Sequence, residues 1–509
     1  MSQANTNANT IRLHAADSVV IALTNLEAGT ELADIPCTLA SDVGRGHKIA
    51  TRAIATGENV LRYGQIIGQA TQDIALGDHV HVHNLAMADH KQDHDLSAAP
   101  NPLPAIDDAR TFLGYRRADG KSGTRNYLGI VTTVNCSGSV ARFIADEAAK
   151  RGFAERFPGV DGIVPIVHGT GCGMASGNEG YQALFRTLSG YACHPNFAGI
   201  LLLGLGCEMM QLSHLVDGRK IRQDGNLRYM NIQQAGGTAK TVEAGLAILE
   251  DMAADAAKLQ REPIPVSELM VGMQCGGSDG YSGITANPAL GHASDLLVRR
   301  GGTTILSETS EVYGAEHLLT ARATADVGQK LLDRIKWWED YTERNGGEMN
   351  NNPSPGNKRG GLTTILEKSL GAVAKGGSAP MEDVYLFAER IDKHGFVFMD
   401  SPGYDPCSVT GQIASGANLV VFTTGRGSVS GYMPTPCIKL ATNSEMYGRM
   451  KGDMDINCGD IISEGATIEA KGAEIFEKLV RVASGEKTKS EALGFGGAEF
   501  VPWQIGAVM

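Results

Sequence analysis

The sequence lacks the features that place a protein in a membrane or on a nucleic acid. No apolar run approaches the about 20 residues of a membrane span, and 45 Lys and Arg stand against 57 Asp and Glu, for a net charge of -12. The opening segment, MSQANTNANT, has neither a basic nor an apolar stretch, so we expect no secretory signal. An acidic chain of this kind gives no electrostatic reason to bind nucleic acid or an anionic membrane.

The cysteines also lack the spacing that usually marks a metal site. There are nine, an odd number, and no two of them form a Cys-x-x-Cys pair. In a large chain without an export signal, this count indicates reduced thiols and a cytoplasmic location. Each thiol is then free to act as a ligand or to fill a small core position.

Glycine is abundant instead, with 64 residues in a chain of 509. The glycines follow apolar runs, where tight turns and close backbone approach require them. A chain of this length exceeds one hydrophobic core, so we expect two or three domains. We predict a small β-rich module over 1–95, a linker rich in charge and proline over 96–110, and a body in two parts, 111–265 and 266–509.

The module ends with three histidines at alternate positions, His79, His81 and His83. Alternate residues of a strand point to the same face. Three imidazoles on one face are suited to a metal ion, but a half-exposed strand at a domain edge has the same pattern. Both interpretations stay open at this point.

The body repeats a pattern of apolar run, glycine-rich turn and helix, which is typical of α/β folds with mainly parallel sheets. Four of the runs lead to a cysteine: 128–134 to Cys136, 162–167 to Cys172, 199–203 to Cys207, and 269–273 to Cys275. Further runs predict strands at 303–307, 396–399 and 419–423, and helices at 290–300, 315–323, 325–344 and 468–483.

Ligands bind beyond the carboxyl ends of parallel strands, so we expect the four cysteines at neighbouring strand ends. Thiolates suit iron, zinc or an iron–sulfur cluster, although a cysteine is also a small residue that fits a tight strand end. The last of these segments, QCGGSDG, adds the hydroxyl of Ser278 and the carboxylate of Asp279. Glu308, after the next predicted strand, is a further oxygen ligand or acid.

Cationic and amide side chains in glycine-rich loops indicate an acidic ligand. The residues are Arg125 and Asn126 before the first strand of the body, Asn357 and Lys358 in PSPGNK, and Arg426 in TTGRG. A guanidinium between glycines can hold a carboxylate with two hydrogen bonds. Each cation alone is equally well explained as a surface charge, but three in one body favour an anion site.

Several long motifs occur in order along nearly the whole chain: LHAADSV, RGHKIA, RADGKSGTRN, GLGCE, QCGGSDGYSGITANP, NPSPGNKRGG, TTGRG and IKLATNSE. In these motifs the chain resembles the altronate/galactarate dehydratases. The resemblance implies an SAF-type β module followed by a two-part dehydratase body. It also implies a divalent metal, typically iron, and loss of water from a polyhydroxy acid to give a 2-keto-3-deoxy product.

Elimination of water next to a carboxylate needs a base, an acid and stabilisation of an enediolate-like charge. The acid–base candidates are His14, His47, Lys48 and Asp279, provided that the module packs over the strand ends. The candidates for substrate binding are Arg125, Asn126, Ser278, Asn357, Lys358 and Arg426. The candidates for metal binding are Cys136, Cys172, Cys207, Cys275 and Glu308.

The preferred ion is Fe²⁺, with Mn²⁺ and an iron–sulfur cluster as alternatives, and we expect a homo-oligomer. Within the resemblance, the motifs mix features of the altronate and galactarate branches. The preferred substrate is a hexonate such as altronate, and a hexarate such as galactarate comes second. A sulfo-lyase acting on sulfolactate and a non-enzymatic sugar-acid binder are further alternatives.

Overall fold

The structure, a computed structural model, describes residues 9–33, 35–88, 94, 96, 100–217 and 226–506. It confirms the predicted fold class: small sheets at the amino terminus precede a body of parallel sheets and helices. None of the helices within these ranges is both long and apolar enough to cross a membrane.

The amino-terminal module consists of short antiparallel strands. They are β1 (Thr10–Ile11), β2 (Val19–Ala22), β3 (Lys48–Ala50), β4 (Asn59–Arg62), β5 (Gln65–Ala70), β6 (His79–Val80) and β7 (Leu85–Ala86). One sheet has the order β1-β2-β3-β6 and the other β4-β5-β7. Because β6 ends at Val80 and the chain then turns, the prediction of one strand carrying His79, His81 and His83 is wrong.

The first part of the body is built on a four-stranded parallel sheet, with the order β11-β10-β12-β13. The strands of this sheet are β10 (Tyr127–Thr132), β11 (Gly162–Ile166), β12 (Phe197–Gly204) and β13 (Leu227–Asn231). A small antiparallel sheet consists of β8 (Thr111–Arg116), β9 (Ser122–Gly123) and β14 (Glu262–Pro265). The helices of this part are α1 (Gly138–Lys150), α2 (Phe153–Arg156), α3 (Glu179–Ala192), α4 (Leu212–Asp217), α5 (Ile232–Ala235) and α6 (Thr238–Ala256).

The second part of the body is built on a seven-stranded parallel sheet, with the order β17-β18-β16-β15-β19-β20-β21. Its strands are β15 (Met270–Cys275), β16 (Thr303–Ser307), β17 (Met381–Tyr385), β18 (Gly395–Met399), β19 (Leu419–Thr424), β20 (Cys437–Ala441) and β21 (Ile456–Asn457). Its helices are α7 (Ala286–Val298), α8 (His317–Thr320), α9 (Ala325–Arg344), α10 (Pro355–Arg359), α11 (Ile365–Val373), α12 (Asp405–Ser415), α13 (Ser444–Arg449), α14 (Asp460–Ser463), α15 (Ile468–Ala483) and α16 (Lys489–Leu493).

The two parallel sheets share one apolar core. Side chains of β10 and β12 on one side, and of α12 and β19 on the other, belong to the same cluster of buried residues. Helix α3 lies against α12 at Gly190, where a Cβ would stand 2.1 Å from the carbonyl oxygen of Ala414. A residue with a side chain would push these helices apart, so glycine is required there.

The four cysteines of the strand ends do not lie in one sheet. Cys136, Cys172 and Cys207 follow β10, β11 and β12 of the four-stranded sheet, whereas Cys275 ends β15 at the centre of the seven-stranded sheet. The prediction of four neighbouring strand ends is therefore wrong. The repeat of strand, glycine and helix is the same in both parts, and it carries no information about where one sheet stops.

The module sits over the carboxyl end of β15, as the sequence analysis assumed. A Cβ on Gly280 would stand 2.1 Å from the carbonyl oxygen of Gly46, and one on Gly361 would stand 2.3 Å from the same atom. The hydroxyl of Tyr281 donates to the carbonyl of Ala22 at 3.0 Å. Backbones in direct contact leave no room for side chains, so the glycines of RGHK and QCGGSDG form the seam between module and body.

Candidate active site

The site begins at the ends of β15 and β16, the two central strands of the larger sheet. Cys275 is the last residue of β15, and its side chain is buried. Glu308 directly follows β16 in a left-handed backbone conformation, with φ at 72°. Both of its carboxylate oxygens are buried and lack a hydrogen-bond partner among the described residues. Strain together with buried carboxylate oxygens that accept no hydrogen bond indicates a functional position.

Two lysines from the region of α11 reach this point. The ammonium of Lys375 lies 2.8 Å from the sulfur of Cys275 and 3.9 Å from a carboxylate oxygen of Glu308. The ammonium of Lys368 forms an ion pair with Glu311 and donates to Asn352 at 2.9 Å. Thiol, carboxylates and ammonium groups thus form one buried cluster. Buried charges of this kind require partners, and here they are one another's partners.

The environment pushes the pKa values of neighbouring carboxyl groups apart. Burial, and then the negative charge of Glu311, raise the pKa of Glu308 well above its ordinary value. Burial acts against ionisation of Glu311 too, but the ammonium groups of Lys368 and Lys375 outweigh it and lower the pKa of Glu311. Paired carboxyl groups with opposite shifts are a pattern of acid–base sites.

A third carboxyl group, Asp405, lies at the start of α12. A Cβ on Gly276 would stand 2.0 Å from a carboxylate oxygen of Asp405, which places this group beside the end of β15. Burial, and then the charge of Glu311, raise the pKa of Asp405 to about 7. A carboxyl group with this pKa changes its protonation near neutral pH, which suits a general base.

The donor set fits a divalent metal ion. One ligand atom each from Cys275, Glu308 and Glu311 lie within 4.8 Å of one another, and all three residues are buried. The oxygens of Glu308 that have no hydrogen-bond partner are what a cation would satisfy. A thiolate with two carboxylates is a donor set for iron or zinc more than for magnesium or calcium.

A cavity of about 10 Å³ adjoins the cluster, and its lining includes Tyr63, Cys275, Ser278, Asp279, Glu367 and Lys368. A volume of this size holds about one water molecule. Any larger ligand therefore requires the module or the surrounding loops to move aside. Tyr63 belongs to the module and the other five residues to the body, so the cavity lies at the seam.

Besides Cys275, two predicted residues of the QCGGSDG segment line this cavity. The hydroxyl of Ser278 is buried, with no hydrogen-bond partner in the described part of the chain. Asp279, in contrast, accepts hydrogen bonds from Ser282, Thr442 and Asn443. Burial raises the pKa of Asp279 in spite of these hydrogen bonds. Its place in the network gives Asp279 a role in holding the segment in position.

Lys48 reaches the seam, where it pairs with the body. Its ammonium lies 2.9 Å from both carboxylate oxygens of Glu367, and the guanidinium of Arg62 binds the same carboxylate. All three side chains are fully buried. Burial alone would raise the pKa of Glu367, but the two cations outweigh it and lower the pKa to about 2. This triad ties the module to α11.

The two predicted histidines lie outside the cluster of Cys275. Nδ1 of His47 is 2.9 Å from Nε2 of His79, and its other ring nitrogen faces the carbonyl of Arg359 at 3.3 Å. His14 is exposed on the module, and its Nδ1 accepts from the backbone of Ala16 at 3.2 Å.

Two cations flank the Gly277–Asp279 segment from opposite loops. Asn357, in α10, donates to the carbonyl of Ser278 at 2.9 Å, and half-buried Lys358 follows it. On the other side, the backbone of Arg426 donates to the carbonyl of Gly277 at 2.8 Å, and its side chain is exposed. The described residues give neither cationic side chain a hydrogen-bond or ion-pair partner. Both are therefore available to an anion.

The structure places Arg125 and Asn126 away from the site. The guanidinium of Arg125 is buried and binds both carboxylate oxygens of Glu491 in α16. The amide of Asn126 donates to the carbonyls of Gly159 and Ala256. Both side chains hold parts of the body together, and neither contacts the cluster of Cys275.

The three cysteines of the four-stranded sheet are exposed and do not belong to any group of three metal-type ligands within the described residues. Sequence reasoning missed other members of the site: Glu311, Asn352, Glu367, Lys368, Lys375 and Asp405. One signal was present, because α11 and the turn after it carry a glutamate and two lysines among small and apolar residues, in LEKSLGAVAKGG. Charged residues in a buried helix are expected to be paired.

Fold and site together define an α/β enzyme with a buried cluster of acid–base side chains, whose donor atoms fit a divalent metal ion. Three family models match the chain in order. They describe the altronate/galactarate dehydratase SAF domain over residues 8–88, the second domain of D-galactarate dehydratase/altronate hydrolase over 114–257, and the C-terminal domain of D-galactarate/altronate dehydratase over 266–508.

Individual relatives agree with the family models. The chain is 35% identical to the altronate dehydratase of Bacillus subtilis, over 95% of this chain and 97% of the relative. It is 39% identical to the galactarate dehydratase (L-threo-forming) of Escherichia coli, over 94% of this chain and 93% of the relative. The chain belongs to the altronate/galactarate dehydratase family, as its motifs suggested, and is a hydro-lyase of the sugar-acid dehydratase class.

A third relative has separate subunits, and two of them each match a part of this chain. The beta subunit of the (2R)-sulfolactate sulfo-lyase of Chromohalobacter salexigens is 34% identical over 76% of this chain and 95% of the subunit. The alpha subunit is 50% identical over 40 residues, which are 8% of this chain and 43% of the subunit.

Proposed function

We propose that this protein removes water from a hexonate of the altronate type, with a divalent metal ion, to give a 2-keto-3-deoxy acid. The observation that carries the proposal is the buried group of Cys275, Glu308 and Glu311 at the centre of the sheet. The membership of the chain in the dehydratase family supplies the reaction class. We continue to expect a homo-oligomer in the cytoplasm.

The preferred ion is Fe²⁺, held by Cys275, Glu308 and Glu311, with Mn²⁺ as the alternative. The group contains one thiol, which favours a single ion over an iron–sulfur cluster held by several thiolates. When bound, a divalent ion there polarises substrate oxygens and stabilises the negative charge that develops during elimination.

The proposal assigns proton transfer to two groups. Asp405, with its pKa raised to about 7, accepts the proton from the carbon next to the carboxylate. The ammonium of Lys368 lines the cavity and gives a proton to the leaving hydroxyl, so that water departs and an enol remains. The enol then becomes the 2-keto acid. Lys358 and Arg426 hold the substrate carboxylate from the two flanking loops.

A hexarate such as galactarate is the second candidate. The pair of available cations, Lys358 and Arg426, favours this substrate class, because a hexarate has a carboxylate at each end. A sulfo-lyase reaction is the third, and the fusion of module and body in one chain favours dehydration over it. A binding protein without activity is the least favoured, since the acid–base cluster serves no purpose in binding alone.

The test is to load anaerobically reduced protein with iron and to incubate it with a panel of hexonates, hexarates and sulfolactate. We expect a 2-keto-3-deoxy acid from altronate at the highest kcat/KM. A preference for galactarate would transfer the proposal to the second candidate. Sulfite release would select the third, and no product from any hexonate or hexarate would overturn dehydration.

A further inference from the structure

A second group of potential metal ligands lies in the module, apart from the Cys275 cluster. It consists of His47, His79 and His81, whose ligand nitrogens all lie within 4.8 Å of one another. Antiparallel pairing of β3 with β6, which sets Ile49 opposite His79, brings the distant His47 to the other two. The sequence pattern pointed to His83 as the third histidine, but the fold supplies His47 instead.

The spacing of the imidazoles is that of ligands on one ion. Zinc binds imidazole nitrogen at about 2.0–2.1 Å, which separates neighbouring ligand nitrogens by about 2.9 Å at a right angle and about 3.3 Å at the tetrahedral angle. Nδ1 of His47 and Nε2 of His79 are 2.9 Å apart. The ring of His81 is centred 4.9 Å from that of His47 and 5.4 Å from that of His79. One nitrogen of His81 lies within 4.8 Å of the ligand nitrogens of the other two, so the three imidazoles surround one point.

The surroundings hold these rings as a metal site requires. The backbone carbonyl of Arg359 faces Nε2 of His47 at 3.3 Å. A carbonyl there favours the tautomer that has its proton on Nε2, which leaves the Nδ1 lone pair for the group. The side chain of Asn84 receives the backbone N–H of His81 and donates to the carbonyl of His79. Nδ1 of His81 is buried, with no hydrogen-bond partner in the described ranges.

A packed histidine cluster without a metal is the alternative. It accounts for the hydrogen bond between His47 and His79, but it leaves Nδ1 of His81 unsatisfied. We propose that His47, His79 and His81 bind a second divalent transition-metal ion, of the zinc or cobalt type, at the seam between module and body. Imidazole nitrogens select such ions over magnesium and calcium. Through His47 and the carbonyl of Arg359, the ion fastens the module to α10, which carries Lys358.

The test counts bound Co²⁺ in the full-length protein after removal of all metal. We expect two ions in the unaltered chain and one in His81→Gln, which retains the thiolate-to-cobalt absorption of Cys275. His83→Gln is the matched control, because this exposed imidazole on the same turn lies outside the group, and it should bind two ions. Cys275→Ser should lose the thiolate absorption and keep one ion.

An equal count of ions in the unaltered chain and in His81→Gln would overturn the proposal. X-ray absorption of the cobalt in the unaltered protein gives a second measurement that needs no variant, and a spectrum without imidazole ligands would also overturn it. One ion without thiolate absorption, lost in His81→Gln, would support this site and contradict the metal at Cys275. The two metal proposals can therefore fail separately.

Discussion

Glu308 holds an unfavourable position in two respects. A left-handed conformation costs a residue with a side chain on the order of 1–3 kcal/mol, and Glu308 has φ at 72°. Its carboxylate is buried and its oxygens lack hydrogen-bond partners within the described residues. Neither feature helps the fold, and both are explained if the carboxylate is aimed at a cation between β15 and β16.

Cys275 should act as a ligand and not only as a core residue. We expect Cys275→Ser to lose bound iron and activity together, with activity down by about 10–100-fold or more. Iron content and turnover of the same preparation are the measurements. Cys437→Ser, at the buried start of β20, is the matched control and should keep both. A variant at Cys275 with full iron content would return this thiol to a packing role.

The guanidinium of Arg426 should serve binding more than turnover. Lysine keeps the charge but loses the planar fork that binds a carboxylate with two hydrogen bonds. We expect Arg426→Lys to raise KM by about tenfold and to change kcat little. Arg449→Lys, an exposed arginine of α13, is the control. An unchanged KM in Arg426→Lys would remove this residue from the site.

Asp405 should set the pH dependence of the reaction. As a base it must lose its proton, so activity should fall as the pH drops below its pKa of about 7. We expect kcat/KM to rise with pH up to about this value, and Asp405→Asn to lose about 10²–10⁴-fold in rate together with that acid limb. Asp340→Asn, on the exposed face of α9, should keep the limb. An unchanged profile in Asp405→Asn would assign the base to another group.

At the scale of elements, α11 connects the module to the site. Neighbouring residues of this buried helix serve two clusters: Glu367 binds Lys48 and Arg62 of the module, and Lys368 binds Glu311 of the site. We expect Glu367→Gln to lower the free energy of unfolding by about 3–5 kcal/mol, because it leaves two buried cations without an anion. Chemical denaturation measures this, and Glu243→Gln, in an exposed ion pair, should leave the midpoint unchanged.

The same triad predicts that the free energy of unfolding depends on pH in the acid range. The pKa of Glu367 is lowered from 4.5 to about 2. Its contribution to stability is therefore complete above pH 4.5 and is lost as the pH falls towards 2. The difference in stability between the unaltered protein and Glu367→Gln should therefore shrink over this interval. A constant difference from pH 5 to pH 2 would show that Glu367 is not ionised in the folded protein.

Elements with a complete periodic pattern were predictable from the sequence. The predicted spans of β16, α9 and α15 coincide with those in the structure, because each has an apolar pattern bounded by a clear stop. Strands β17 and β20 were missed, since MEDVY and CIKLA mix charged and apolar residues. Their environment within the sheet, and not their own propensity, makes them strands.

The candidate site was predictable only where it is local in sequence. Cys275 and Ser278 lie in one short glycine-rich segment, and Glu308 follows the next strand. Lys375 is 100 residues from Cys275, and no spacing rule connects them. The exposed cysteines of the four-stranded sheet had the same local signal as Cys275, so sequence alone gave no means of separating them.

At the scale of the whole molecule, the module and the body meet through contacts that do not need the linker. The seam includes glycine backbones in contact, the hydrogen bonds of Tyr281, and the triad around Glu367. Residues Pro104 and Asp108 of the linker bind to the body through Arg299 and Arg300. This part of the linker is thus held against the body. The module and the body associate through the seam itself.

A chain broken within the predicted linker, 96–110, should therefore reassemble from its two parts. The sulfo-lyase relative has two subunits that each match a part of this chain. We expect the co-expressed parts to purify together and to regain the activity of the intact chain. Glu367→Gln in the larger part should weaken their association by about tenfold or more, since the cations Lys48 and Arg62 would be buried without their partner. Arg52→Ala, an exposed residue of the module, is the control; parts that elute separately in the unaltered pair would show that covalent connection, and not the seam, holds the module over the site.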